Sequence, residues 1–338
     1  MVVTQEPGTS RRGRRPSRRF ILGKAVRDFL ADECLDRSAA LTLFAVLALP
    51  PVAIMLTSVL ALVGQGPQST DTMLEIIALV APDEEAVDVI SSPVRAVLEH
   101  PAAGWTLAGG AATSLWIAAG YVGSFGRAMN RIYGVAEGRP GLQLLGRHLL
   151  TTLALVVFAA LVTLIAVLSG PVAQAVGETL QLGGAVTVWE LVRWPIVLVA
   201  FLVVVALLYH STPNVTHPRF RPVSHGSVLA LGIALLASFG FQLYLRLAGH
   251  FVTTYGAALA GIVVFVLWLW LINIALLLGA ELDREVARAR QLVRGLPADR
   301  QIQVTVRDDR ASRRAEQRRE ADEARARSLR ESWNDGAE

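Results

Sequence analysis

The chain has 338 residues, of which 53% are hydrophobic and 18% are charged, and its formal net charge is +4. A soluble domain has an apolar share nearer ~45–50%. The composition therefore argues against an ordinary soluble enzyme and favours an integral membrane protein. Cys34 is the one cysteine, which excludes an intramolecular disulfide and a cysteine metal cluster.

Residues 1–38 form a basic flank that becomes amphipathic towards its end. Apolar residues recur every three or four positions from Phe20 to Leu30, which predicts a surface helix before the membrane. Residues 17–24 resemble a twin-arginine export signal, but charged residues follow where an apolar segment would be needed. We therefore favour a cytoplasmic flank that is attracted to anionic headgroups.

Six stretches are long and apolar enough to cross a bilayer core of about 30 Å. They lie at about 39–63, 105–125, 149–168, 194–209, 226–248 and 257–280. The connection after the first stretch predicts short amphipathic helices on the outer face of the membrane. The predicted fold is an all-α integral membrane protein with a six-helix domain at 39–282. A charged tail follows at 283–338, either disordered or a solvated helix.

Three of these stretches carry residues that predict how the helices pack. Pro50 and Pro51 remove two amide donors from the first span, so we expect a kinked or broken helix there. Such a break either shapes the packing or lines a binding site. The second span is rich in Gly, Ala and Ser, which predicts close packing inside the bundle. Asn273 in the sixth span requires a polar neighbour.

The basic residues are strongly segregated between the two sides of the predicted membrane domain. With six spans, 29 of the 32 Lys and Arg residues fall on one side, and only Arg95, Arg193 and Arg246 fall on the other. The positive-inside rule then places both termini in the cytoplasm. The expected location is the bacterial cytoplasmic (inner) membrane, with several passes.

The sequence offers little support for catalysis or for a cofactor. None of the six histidines is spaced for metal binding with another histidine or a carboxylate, and there is no Walker phosphate loop. The arginine-rich tails could bind nucleic acid, but they mix acids with bases and lack an aromatic series. We expect no cofactor and anionic membrane lipids as partners. Binding to envelope proteins and formation of homo-oligomers are both compatible with the sequence.

Two clusters lie at the predicted cytoplasmic boundary. The first surrounds a glycine turn and contains Asn130, Arg131, Tyr133, Glu137 and Arg139. The second is Glu281, at the end of the sixth span. An ion pair from Glu281 to Arg131 or Arg139 is geometrically feasible. We interpret it as a lock between loop and helix rather than as a catalytic pair.

An ordered series of motifs resembles the YihY/BrkB family of bacterial inner-membrane proteins, formerly named ribonuclease BN. The series covers about 29–288 and consists of residues 36–42, Leu49-Pro50, residues 130–134 with Glu137 and Arg139, Pro213-Asn214 with Arg221 and Gly226, residues 254–257, and residues 278–282. The resemblance implies a six-helix envelope protein, connected in some members with serum resistance and with lipid or lipopolysaccharide handling. It also implies that the ribonuclease name is a misassignment.

The leading hypothesis is a non-enzymatic membrane protein that binds or helps to move lipids or envelope precursors. Its ligand would lie between the first two spans, with Arg37, Arg131 and Arg139 holding phosphate headgroups. The alternatives are an RNA-processing hydrolase that uses Glu137 or Glu281, and a scaffold that recruits partners through its tails. The candidate residues are Arg37, Ser38, Pro50, Pro51, Asn130, Arg131, Tyr133, Glu137, Arg139, Tyr255, Gly256 and Glu281.

Overall fold

The computed structural model describes residues 16–63, 103–167, 183–216, 223–247 and 257–335. The regular structure within these ranges is helical, and one isolated antiparallel β-bridge joins Val215 to Val306. The helices are α1 (Arg18–Ala31), α2 (Cys34–Val63), α3 (Ala103–Ile132), α4 (Gly141–Val167), α5 (Gly183–Ser211), α6 (His225–Leu247), α7 (Ala257–Val293) and α8 (Arg310–Asp335).

Each stretch that was predicted to span the membrane falls on one of the helices α2 to α7. Four of these helices, α4 to α7, contain described segments that are long and apolar enough to cross a bilayer. Their outer faces expose large apolar side chains, such as Leu236 at 72% and Phe239 at 66%. The amphipathic helices predicted after the first span, and Tyr255 and Gly256, lie outside the described residues.

The first predicted span is one continuous helix. α2 runs through Pro50 and Pro51 without interruption, so of the expected kink or break the break is wrong. Adjacent prolines remove only their own two amide donors, and the hydrogen bonds on either side continue the helix. The predicted cavity between the first two spans involves Pro50 and Pro51, whose side chains lie outside the described residues.

α7 is the central helix of the bundle and packs against α6, α2 and α1. Asn273 forms a polar contact between three helices: its side-chain oxygen accepts from Tyr121 on α3 at 2.9 Å, and its amide donates to Thr42 on α2 at 3.2 Å. This confirms that Asn273 has polar neighbours inside the bundle. A buried amide with both functions satisfied also specifies which faces of the three helices meet.

Small residues allow the closest helix contacts. The described part of α3 buries Ala118, Ala119 and Ser124, which confirms the packing predicted from its small residues. Gly226 at the start of α6 meets Gly279 on α7 so closely that a Cβ on Gly226 would overlap the Gly279 carbonyl oxygen. Glycine is thus required at Gly226 by backbone approach.

The end of the bundle at which α7 finishes is built mainly from charged segments. α7 continues to Val293, and residues 296–309, here called the strap, then fold back across the bundle. Ala298 and Ile302 of the strap are buried, and the Thr216 amide donates to the Thr305 carbonyl at 2.8 Å. α8 follows as an exposed helix. The region predicted as a charged tail therefore includes a packed strap and an exposed helix.

Candidate functional site

Arg139 and Glu137 form a short-range lock in the loop after α3. Arg139 is 5% exposed and donates two hydrogen bonds to the Glu137 carboxylate, at 2.8 and 2.6 Å, and one to the Thr212 carbonyl at 2.7 Å. Asn130 donates to the same carboxylate at 2.8 Å. Burial alone would raise the pKa of Glu137. The hydrogen bonds from Arg139 have the opposite and larger effect together, so the pKa lies below its ordinary value. Glu137 is therefore a paired carboxylate.

Asn214 joins this loop to the strap. Its backbone amide donates to the Asn130 side-chain oxygen at 2.7 Å, and its side-chain amide donates to the Asp308 carbonyl at 2.7 Å and to the Ala136 carbonyl at 3.1 Å. Gly138 lies so close to the strap that a Cβ would overlap the Asp308 carbonyl oxygen. Asn130 and Asn214 thus hold three chain segments in register, which is a structural role.

Glu281 is completely buried and pairs within its own helix. Its carboxylate lies 3.1 Å from Arg284, and the Arg284 guanidinium also contacts Asp28 of α1 and donates to the Ile132 carbonyl at the end of α3. The contact with Arg284 is an ion pair, and Asp32 also interacts with the Glu281 carboxyl group. The expected pairing of Glu281 with Arg131 or Arg139 is wrong, because the nearer Arg284 sits one helical turn away.

The boundary arginines predicted to hold phosphates have partners inside the protein. Arg131 contacts Asp32 at 3.1 Å, and Arg37 donates to the Asp32 carbonyl at 2.9 Å. Ser38 is buried and donates to the Cys34 carbonyl, one turn earlier in α2. These residues hold the junction between α1 and α2 in place.

A groove lies between α1 and the end of α7, with a volume of about 740 Å³. On α7 its floor is an apolar stripe at 282, 286, 289 and 293, a spacing that puts all four side chains on one helix face. Ile21 and Leu22 of α1 form the other side. We call this feature the α1–α7 groove.

Three arginines line the edge of the α1–α7 groove: Arg18, Arg290 and Arg294. All three are exposed, and no side-chain hydrogen bond or ion pair joins them to another described residue, although Arg290 interacts electrostatically with Asp283. Arg284 and Arg288, on the opposite face of α7, do have acidic partners. The face of α7 therefore decides which of its arginines are paired.

A second cavity, the chamber, lies behind the groove and has a volume of about 540 Å³. Its walls come from the end of α5, the start of α6, the end of α7 and the strap. Four residues line both the chamber and the groove: His225, Val286, Arg290 and Arg294. Tyr133, one of the predicted candidates, is buried against the chamber, and this burial raises the pKa of its hydroxyl.

The groove arginines are not among the residues predicted from the sequence, although the sequence carries a signal for them. An apolar stripe beyond the sixth span with arginines at 290 and 294 beside it is an amphipathic pattern. Within the described ranges, no group of three or more His, Cys, Asp or Glu residues lies close enough to hold a metal ion.

A sequence model for the virulence factor BrkB matches residues 25–302, which is most of the chain. The chain belongs to the virulence factor BrkB family. It is an integral membrane protein with several apolar helices. The predicted resemblance is therefore confirmed at the level of the family.

Curated relatives of this BrkB family chain include the ribonuclease-like protein YfkH of Bacillus subtilis, 27% identical over 76% of this chain and 91% of YfkH. UPF0761 membrane proteins of Alcanivorax borkumensis and Halorhodospira halophila are each 27% identical, over 80% and 75% of this chain. The matches span 61% and 54% of those two proteins. No solved structure matches the chain.

Proposed function

We propose that this BrkB family protein binds phosphate-bearing lipids in the α1–α7 groove and takes part in moving lipids or envelope precursors. The observation that carries the proposal is the apolar stripe of α7 beside exposed arginines that make no side-chain hydrogen bond or ion pair with a described residue. Arginine binds phosphate through paired N–H donors, and the stripe offers a surface for acyl chains.

The position of α1 supports this reading. Its face next to the groove exposes Leu22, Val26 and Leu30, at 47%, 41% and 58%. A short helix with exposed apolar residues and flanking arginines is typical of the boundary between headgroups and acyl chains. A lipid in the groove would then keep its chains in the bilayer while its phosphate meets Arg18, Arg290 and Arg294.

We further propose six spans, α2 to α7, in the bacterial inner membrane with both termini cytoplasmic. The segregation of 29 of the 32 Lys and Arg residues to one side supports this arrangement. A reporter that is active only in the cytoplasm, fused after Glu338, should be active. An inactive reporter there, together with an active periplasmic reporter at the same site, would contradict the proposed topology.

The decisive experiment for lipid binding compares two double variants of equal charge. Arg290→Gln with Arg294→Gln removes both α7 groove arginines, and Arg318→Gln with Arg319→Gln removes two exposed arginines of α8. Native mass spectrometry in nanodiscs should show at least about tenfold weaker binding of phosphatidylglycerol for the groove variant, since hydrogen bonds to charged groups contribute ~1.5–3 kcal/mol each. Equal binding by both variants would refute the groove as the site.

A scaffold is the second candidate function, and the exposed helix α8 favours it. All its described side chains are exposed or partly exposed, and Trp333 is 80% exposed. Removal of residues 310–338 leaves the strap intact and would abolish function, but not lipid binding, if α8 recruits a partner. Full function after this deletion would exclude α8 as the functional element.

We infer that the protein is not an enzyme. Glu137 and Glu281, the carboxylates that an RNA hydrolase could use, both have arginine partners. Only the name of YfkH suggests ribonuclease activity. Metal-dependent RNA cleavage by nuclease-free protein, abolished by Glu137→Gln or Glu281→Gln, would reverse this inference.

A further inference from the structure

The α1–α7 groove and the chamber meet at Arg290 and Arg294. Arg290 lies in the last turn of α7 and Arg294 directly follows its end, and both line the two spaces, together with His225 and Val286. A phosphate bound by these arginines would therefore stand at the boundary between an apolar groove and the chamber. A chemical group attached to that phosphate on the side away from the groove would lie in the chamber.

The chamber is too large for a phosphate alone. Its volume of about 540 Å³ is in the range of small-molecule pockets, ~300–1,000 Å³. One water occupies roughly 30 Å³, so the chamber has room for a group of many atoms. The space next to the phosphate therefore fits a substantial headgroup.

The chamber lining combines hydrogen-bond donors with acceptors. Hydroxyl groups come from Thr216 and Thr305, and a carboxylate comes from Asp283, which is hydrogen-bonded to Ser224. Asp283 accepts from the Gly226 amide at 2.7 Å, which holds its carboxylate in place at the start of α6. Such a lining suits hydroxyl groups, which both donate and accept.

The strap closes one side of the chamber and is held to α7 by a reciprocal pair of hydrogen bonds. The Gln291 side chain donates to the Gln303 carbonyl at 2.6 Å, and the Gln303 amide donates back to the Gln291 side chain at 2.9 Å. The strap residues Ile302, Gln303, Val304 and Thr305 all line the chamber, whereas Val306 does not.

We infer that the chamber holds the hydroxylated headgroup of an anionic lipid whose phosphate lies at Arg290 and Arg294 and whose acyl chains lie in the α1–α7 groove. The ligand class is thus a phosphodiester lipid with a glycerol or sugar headgroup. This inference rests on the proposed function, because it assigns the headgroup of a lipid bound in the same groove.

The test compares phosphatidylglycerol with phosphatidate of identical acyl chains, in nanodiscs containing the full chain. The wild-type protein should bind phosphatidylglycerol at least about tenfold more tightly, because two or three extra hydrogen bonds form in the chamber. Thr305→Trp fills the chamber and should reduce phosphatidylglycerol binding to the level of phosphatidate. Val306→Trp, its neighbour outside the chamber, should leave the preference intact.

The outcomes separate this inference from the proposed function. Equal affinity of the wild-type protein for the two lipids, or a preference that survives Thr305→Trp, overturns the headgroup assignment even if Arg290→Gln with Arg294→Gln weakens both lipids. Unchanged binding of both lipids in that arginine variant overturns the groove itself. Displacement of the lipid by glycerol 3-phosphate at the concentration of the lipid overturns the lipid in favour of a soluble phosphate ester.

Discussion

Replacing Arg139 by glutamine should destabilise the protein more than any exposed charge substitution. The change removes two hydrogen bonds to Glu137, at 2.8 and 2.6 Å, and one to the Thr212 carbonyl at 2.7 Å. Loss of one partner of a buried ion pair costs ~3–5 kcal/mol. Glu137 is 29% exposed and keeps Asn130 as a donor, so water and Asn130 recover part of the loss. We expect a loss of about 2–4 kcal/mol.

The free energy of unfolding can be measured in mixed detergent and SDS micelles, with the seven tryptophans as the fluorescent probe. The double variant Glu137→Gln with Arg139→Gln should be less destabilised than the sum of the single variants, by about 1–3 kcal/mol. Arg310→Gln is the matched control, because its 2.6 Å contact with Asp308 is equally short but the Arg310 side chain is 56% exposed. We expect no measurable loss for that control.

The same pair predicts the pH dependence of the Arg139 effect. The pKa of Glu137 is lowered in the folded state, so the pair stabilises the fold above the ordinary pKa of the carboxyl. This stabilisation disappears as the pH falls through the lowered value. The destabilisation by Arg139→Gln should therefore shrink in acid. A cost below about 1 kcal/mol at neutral pH, a coupling below about 0.5 kcal/mol, or an effect independent of pH would refute the reasoning.

Three other predictions test the packing. Gly226→Ala should lower the free energy of unfolding by about 1–3 kcal/mol, because the new Cβ would overlap the Gly279 carbonyl. Gly232→Ala, with open space around it, should be neutral or stabilising. Equal unfolding free energies of the two variants would contradict the close contact. Cys34 is fully buried, so a maleimide should label it only after denaturation, and rapid labelling of folded protein would contradict its burial. Arg284→Gln removes the contact with α1, so amide hydrogen exchange in α1 should accelerate, and unchanged exchange would show that packing alone holds α1.

Much of the helical framework follows from local patterns. Apolar runs predict the helices on which all six proposed spans lie, because a helix in lipid must satisfy its own backbone hydrogen bonds. Small residues predict that α3 is buried, because they allow helices to approach closely in any bundle. Asn273 predicts a polar neighbour, because a polar side chain inside a bundle forms hydrogen bonds between helices. Of the kink or break predicted at Pro50 and Pro51, the break does not occur, because proline perturbs a helix without necessarily ending it.

The sequence by itself determined the class of the protein, the order of its helices and the segregation of its charges, because hydrophobicity and helical period act over a few turns of chain. Only the tertiary structure decided which arginines are paired. Asp28 and Arg284 meet across a separation of 256 residues, and the strap joins Asp308 to Asn214 across 94. Such contacts satisfy the inner arginines of α7. Arg290 on its other face and Arg294 just after its end make no side-chain hydrogen bond or ion pair with a described residue, which makes the groove a candidate site.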